Sequence, residues 1–146
     1  MTTSQKAVNL IKKFEGFFTD AYICPAGKVT IGFGSTMWSD GKKIKMGEKI
    51  THEDAEKLMF WELKNKEYCL AKLKLNQNQF DALMSFVYNV GCGNLLKSTL
   101  YKKAFINPND PTIKDELLRW VNKGSPFEKG LRRRRNEESK LYYEQI

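Results

Sequence analysis

Apolar residues in the N-terminal stretch MTTSQKAVNLIKKFEG fall at helical spacing, with Val8, Ile11 and Phe14 on one stripe. Thr3 or Ser4 can cap this helix, and Gly16 suits the left-handed position after its last turn near Glu15. The period then changes to two. From Val29 to Gly34, Val29, Ile31 and Phe33 share one face of a predicted strand, and Thr30, Gly32 and Gly34 the other. Asp40–Gly41 marks a turn leading to another short strand, so two or three strands make a small sheet.

After Ile50 every signal is helical. Thr51 with Asp54 reads as a capping box, and Ala55, Leu58, Met59 and Leu63 carry the helical pattern toward Leu73. Asn76 and Gln79 cap a further helix whose stripe of Phe80, Leu83, Met84, Val87 and Val90 is widened by Ala82 and Phe86, which predicts a central buried helix. GCGN stops it. A helix over about 95–105, a turn at NPNDP, a helix from Thr112 carrying Leu117, Leu118, Trp120 and Val121, and a last helix through the arginine run complete the chain. No repeat, linker or low-complexity segment interrupts it.

Composition narrows the picture. The chain's 146 residues suit one domain with room for two lobes, and an apolar fraction of 41% argues for a folded core. Lys and Arg outnumber Asp and Glu by 25 to 17, a net charge of +8, which points to an anionic partner such as nucleic acid, an acidic membrane surface or a wall polymer. No run has the length of a signal peptide or a membrane span, so the chain is expected to be made and kept in the cytoplasm until something releases it. Three cysteines, Cys24, Cys69 and Cys92, form an odd set without CxxC, and no disulfide framework is expected. Their spacing to the single His52 matches no zinc motif.

Glu15 stands where a helix ends and where the helix dipole disfavours a second negative charge; Phe14, Phe17 and Phe18 would add desolvation. Both effects favour the protonated carboxyl that a general acid requires, although a solvated helix-end glutamate is the plain alternative. Two glycines on one strand face beside Thr30 would form a shallow groove floor for an extended polymer, or else a bulge. A lone Cys24 is commonly a buried hydrophobe, and Asp20 is a possible second carboxylate.

Taken together these residues resemble the bacteriophage-type lysozymes, the endolysins of glycoside hydrolase family 24. The family pattern of Glu, eight residues, Asp or Cys, five residues, Thr is met by Glu15, Cys24 and Thr30. Ala21–Tyr22, the TIGFG of Thr30–Gly34, ITHEDAEKLM, NQFDALMSFVYNVG, Ser98–Leu100, Arg119–Trp120 and GLRRRRNEE follow in the family's order over nearly the whole chain. The resemblance implies a mostly helical α+β lysozyme-like fold, a single domain over residues 1–146. A small antiparallel sheet would lie in an N-terminal lobe of about 14–60. A helical lobe of about 74–146 plus the first helix would face it across the active-site cleft. It also implies hydrolysis of the β-1,4 bond between N-acetylmuramic acid and N-acetylglucosamine in peptidoglycan for host lysis. Glu15 maps to the general acid, Thr30 to the residue positioning the attacking water and Cys24 to the second catalytic position. Gly32, Phe33 and Asn89 map to substrate contacts, and Arg132 is taken as the arginine near the acid, with the register of the four arginines open. No cofactor or metal is implied. A monomer, a holin-type partner for release and passage from host cytoplasm to the wall follow from the same analogy.

Two positions depart from the family. A thiol at Cys24 replaces the usual carboxylate, so it stands as base, covalent nucleophile or mere support for Thr30, and the stereochemical outcome is open. Ser35 replaces the histidine often found after GFG. Other readings weighed are a nucleic-acid binder built on RRRR, which on a helix fans around the axis, a peptidoglycan-binding module without catalysis, and a lysozyme cut from a tail protein.

Overall fold

The structure, a computed structural model, describes residues 1–146. It is lysozyme-like α+β: α1 (Gln5–Glu15), a two-stranded sheet of β1 (Phe18–Ile23) and β2 (Val29–Gly32), then α2 (His52–Lys64), a 3-10 turn (Glu67–Leu70), α3 (Gln77–Val90), α4 (Cys92–Lys97), α5 (Thr99–Ile106), α6 (Ile113–Leu117) and α7 (Glu128–Tyr142). Ser4 caps α1, accepting from the Lys6 N–H at 3.3 Å, and its own N–H donates to Asp81 at 2.9 Å, so the first helix is anchored to α3 from its first residue. Asn76 and Gln79 form the complete capping box of α3. Thr51 accepts from the Asp54 N–H at 3.1 Å to open α2. Helix α3 is the axis of the molecule, packed most extensively against α7 and next against α1. One cluster of 27 buried apolar residues runs from Val8 and Ile11 through Ile31 and Phe33 to Leu83, Phe86 and Leu117.

The sheet differs from the expected one. The partner of β2 is β1, which precedes it; the register is Phe18–Gly32, Tyr22–Thr30 and Ile23–Val29, with an irregularity between Phe18 and Tyr22. The segment after Asp40–Gly41 makes only isolated pairings, Met37 with Lys43 and Asp20 with Lys49. The alternation over Val29–Gly34 also stops early. Ile31 and Ser35 exchange two backbone hydrogen bonds of 2.9 Å, so the chain turns back at Phe33–Gly34 instead of running on as a strand. Gly32 is therefore no groove floor. It is buried with φ +65°, and a Cβ there would lie 3.0 Å from the Ala55 Cβ of α2. Phe33 is 2% exposed and sits in the core against Phe17 and His52. Both were expected to touch substrate, and both are instead packed away beneath the site.

Two expected helices are divided. Helix α2 stops at Lys64, where the Asn65 side chain donates back to the Trp61 carbonyl at 3.0 Å, and the 3-10 turn then brings Cys69 and Leu70 inward. Ser98 separates α4 from α5, donating to the Leu95 carbonyl at 2.6 Å and accepting from the Tyr101 N–H at 3.0 Å. The absence of a disulfide is also corrected. Cys69 and Cys92 are bonded, with Cα atoms 5.8 Å apart, tying the 3-10 turn to the start of α4. Their separation of 23 residues falls within the range where loop closure stabilises by about 3 kcal/mol. Chain spacing gave no warning of a contact made through space.

Beneath the Phe33–Gly34 turn lies a polar layer. Ser35 Oγ and Glu62 Oε1 are buried without a hydrogen-bond partner. Tyr88 donates its hydroxyl to the Phe33 carbonyl at 2.6 Å, holding the turn from α3. Burial raises the Glu62 carboxyl above its usual range, against weaker opposing contributions from Ser35 and Lys66.

Gly32→Ala is expected to cost about 1–3 kcal/mol, since it combines an unfavourable φ with a clash, whereas Gly41→Ala, with a positive φ but open space, should cost less; thermal melts compare the two. Because the folded state holds the Glu62 proton more tightly than the unfolded chain, stability falls as pH rises above the ordinary value of 4.5. Glu62→Gln removes that loss. It should melt level with wild type near the acid end and above it at neutral pH, and equal melting at both would sink the assignment.

Candidate active site

A cleft of about 770 Å³ opens between the end of α1, the β1–β2 hairpin and the N-terminal half of α7. Glu15, Cys24, Thr30 and Asn89 all line it, so four of the residues expected at the site are brought together. Asp20 is not among them. It is paired with Lys49 on the outer surface at 2.9 Å, and that ammonium lowers its carboxyl.

Glu15 reaches the cleft because α1 ends there and Gly16, at φ +68°, turns the chain away. The apolar jacket expected around it is not what meets its carboxylate. Arg134 Nη1 donates to Glu15 Oε1 at 2.5 Å. The second oxygen, Oε2, lies over Gly34, where an added Cβ would come within 3.0 Å. Gly34 has φ +90°, so a side chain there would be both strained and in the carboxylate's place.

The arginine assignment shifts by two positions. Arg132 is exposed and paired with Glu128 at 2.8 Å. Two residues along a helix turn about 200°, so Arg134 points inward where Arg132 points out. Arg134 also donates through Nε to Glu138 at 3.3 Å and through Nη2 to the Ser85 carbonyl at 3.1 Å. Arg135 is fully buried, with its guanidinium 4.9 Å from the Phe86 ring centroid, and donates to Asn89 Oδ1 at 2.6 Å. Ser85 completes the network by donating to Glu138 at 2.6 Å. Burial pushes the Glu138 carboxyl up, while the adjoining guanidinium groups of Arg135 and Arg134 work in the other direction.

Cys24 closes β1 at the hairpin, where its N–H donates to the Lys28 carbonyl at 2.9 Å. Its thiol is held below the usual range, first by a hydrogen bond from the Lys28 backbone and next by the Thr30 hydroxyl. Thr30 is 3% exposed, and its hydroxyl donates to the Lys28 carbonyl at 3.0 Å. A hydroxyl has one proton, so a thiolate at Cys24 and the Lys28 carbonyl compete for it. Tyr22, a residue of the cleft wall, has its phenol raised by burial and then by the neighbouring Cys24 and Glu15 charges.

Of the cleft residues Arg134, Gly34 and Tyr22, sequence reasoning passed over only Tyr22 outright; it left the register of the arginines open and read Gly34 as groove floor. The TIGFG and AY stretches contained two of them. The third could be found only by knowing which face of α7 meets the end of α1.

Comparison with known proteins agrees with this geometry. The phage lysozyme family profile matches residues 12–138. The chain is 39% identical to the endolysin of Bacillus phage B103 over 97% of its own length, and spans about half (54%) of that protein. It is 33% identical to the endolysin of Salmonella phage P22, covering 94% of this chain and 95% of that one. Among solved structures it superposes on an endolysin from Escherichia coli O157:H7 phage FAHEc1 with a TM-score of 0.88 at 34% identity, covering 100% and 96% of the two chains. On the fold, the cleft and these matches, the chain belongs to the phage lysozyme family.

Proposed function

We propose that this chain hydrolyses the β-1,4 bond between N-acetylmuramic acid and N-acetylglucosamine in peptidoglycan, acting as an endolysin muramidase on the host wall. The observation that carries this reading is the pairing of Glu15 with Arg134 at the edge of an open cleft whose other wall holds Cys24 and Thr30. Arg134 occupies Oε1 of Glu15, which leaves Oε2, the oxygen above Gly34, to face the leaving group. Glu15 donates that proton to the leaving glycosidic oxygen. Thr30 positions a water, and Cys24, with its lowered thiol, takes the water's proton as it attacks the sugar. This order gives inversion at the anomeric carbon; a bond from the Cys24 sulfur to the sugar would give retention instead. Asn89, fixed by Arg135, contacts the glycan from the α3 side in this reading. A monomeric state and release by a holin-type partner belong to the same proposal by analogy with the endolysin family.

Loss of turbidity in outer-membrane-permeabilised Gram-negative cells tests the roles. Glu15→Gln is expected to lower the rate by about 10²–10⁴-fold while folding normally by circular dichroism. Cys24→Ser should also lose most activity, and Cys24→Asp should retain it. A folded wild type that sediments with peptidoglycan but clears no cells would make the chain a binding module.

A second prediction concerns the thiol itself. Cys24 is the one free cysteine, so iodoacetamide should label it alone in the oxidised protein. The labelling rate should rise through a midpoint below that of cysteine in the unfolded chain, with activity lost in step. Thr30→Val should move that midpoint upward; an unchanged midpoint would remove the hydroxyl from the thiol's environment.

A further inference from the structure

Helix α5 turns Leu100 and Ala104 into the core but leaves Phe105 60% and Ile106 83% exposed. With Tyr101 they form an apolar groove of about 480 Å³ whose only charged members are Lys72 and Lys102. Neither lysine takes part in any ion pair of the structure. No acid lines the groove, and it shares no residue with the cleft. Lys103, one position from Lys102, is by contrast neutralised by Glu116 at 2.7 Å.

Large exposed apolar side chains rimmed by unpaired cations form a recognisable chemical class of surface. Lysine stems lie along the apolar floor and extend their ammonium groups outward, while aromatic and aliphatic tips wait uncovered. We propose that this α5 groove is a peripheral binding surface for an anionic lipid bilayer. Phe105 and Ile106 enter the boundary between headgroups and acyl chains, and Lys72 and Lys102 meet acidic headgroups. Charge chooses this occupant. A second copy of the chain would bring lysine against lysine between molecules of net charge +8. A nucleic acid or an acidic glycan would satisfy the lysines and leave Phe105 and Ile106 in water. No helix is long and apolar enough to cross a membrane, so the contact is with the bilayer surface. The inference stands independently of the glycosidase reading, because no residue of the cleft contributes to it.

The test is co-sedimentation of the full chain with vesicles of phosphatidylglycerol and phosphatidylcholine, or of phosphatidylcholine alone, at low and high salt. The variants are Phe105→Ser with Ile106→Ser, and Lys72→Gln with Lys102→Gln. Wild type is expected to partition onto the anionic vesicles at least about tenfold better than onto neutral ones, less so at high salt. The apolar double variant should lose about tenfold of that partition, the effect of withdrawing two partly inserted side chains. The lysine variant should lose several-fold and show a weaker salt response. Cleavage of isolated wall sacculi should be unchanged in both variants, and circular dichroism should match wild type. Equal partition by wild type and the apolar variant would overturn the proposal, leaving net charge alone as the cause. So would the absence of binding by wild type, or a wild-type dimer in size exclusion that the apolar variant lacks.

Discussion

The contact between Arg134 and Glu15 governs the organisation of the molecule around its cleft. It joins residues 119 positions apart, from the last helix to the end of the first. A guanidinium that is 4% exposed has given up nearly all its hydration, and it is tolerated only because Glu15, Glu138 and the Ser85 carbonyl together replace the lost water. Those three partners lie on α1, α7 and α3. The acid's position is therefore a property of three packed helices and not of the loop beside it. Misplacing any one of them would leave the buried guanidinium short of a partner, which is among the costlier errors a core can carry.

The same constraint explains the backbone under the acid. With one carboxylate oxygen fixed by Arg134, the other must occupy the space above residue 34, and only glycine leaves that space empty. The preceding glycine solves a different problem. Gly32 lets β2 approach α2 closely enough for Ala55 to close the core. Two glycines in one short motif thus answer to different neighbours, Glu15 on one side and Ala55 on the other. Tyr88 holds the intervening carbonyl from α3, so the turn that presents Gly34 is fixed by the helix that also carries Ser85.

Local features of this chain are legible in its sequence, and contacts between distant elements are not. Caps and stripes are local, and Ser4, Thr51, Asn76 and Ser98 all cap helices in the structure. The set of Glu15, Cys24 and Thr30 was legible only through its match to the family pattern; the fold brings the three together because a helix end and a hairpin carry them within 16 residues. Alternation misled at Gly32 because periodicity assigns faces without saying which face is covered, and α2 covers the glycine side; at Phe33 the alternation agreed with burial, and it was the family mapping that set a core side chain against substrate. Strand β1 escaped notice because five of its six positions are not buried and show no clean alternation. The Cys69–Cys92 bond and the choice of Arg134 over Arg132 depend on how separate helices meet, which no local pattern encodes.

The arginine run shows how far burial changes the meaning of composition. Read along the chain, RRRR is a cationic block that invites a polyanion. In the fold its four members have four different fates. Arg132 is occupied by Glu128 on the surface. Arg133 lies over the Phe14 ring beside the cleft. Arg134 holds Glu15, and Arg135 is sealed between Phe86, Asn89 and Glu138. Two of the four are thus 3% and 0% exposed and offer nothing to a phosphate backbone. The outward positive charge of the chain consequently comes mainly from its lysines. Helical geometry forces this division: successive residues rotate by about 100°, so a contiguous run on a helix bordering the core must send part of its charge inward. Inward charge persists only where acids wait for it, and the acids that wait here are Glu15 and Glu138. The motif that looked like a ligand-binding patch is, at its centre, the device that aims the candidate catalytic carboxylate.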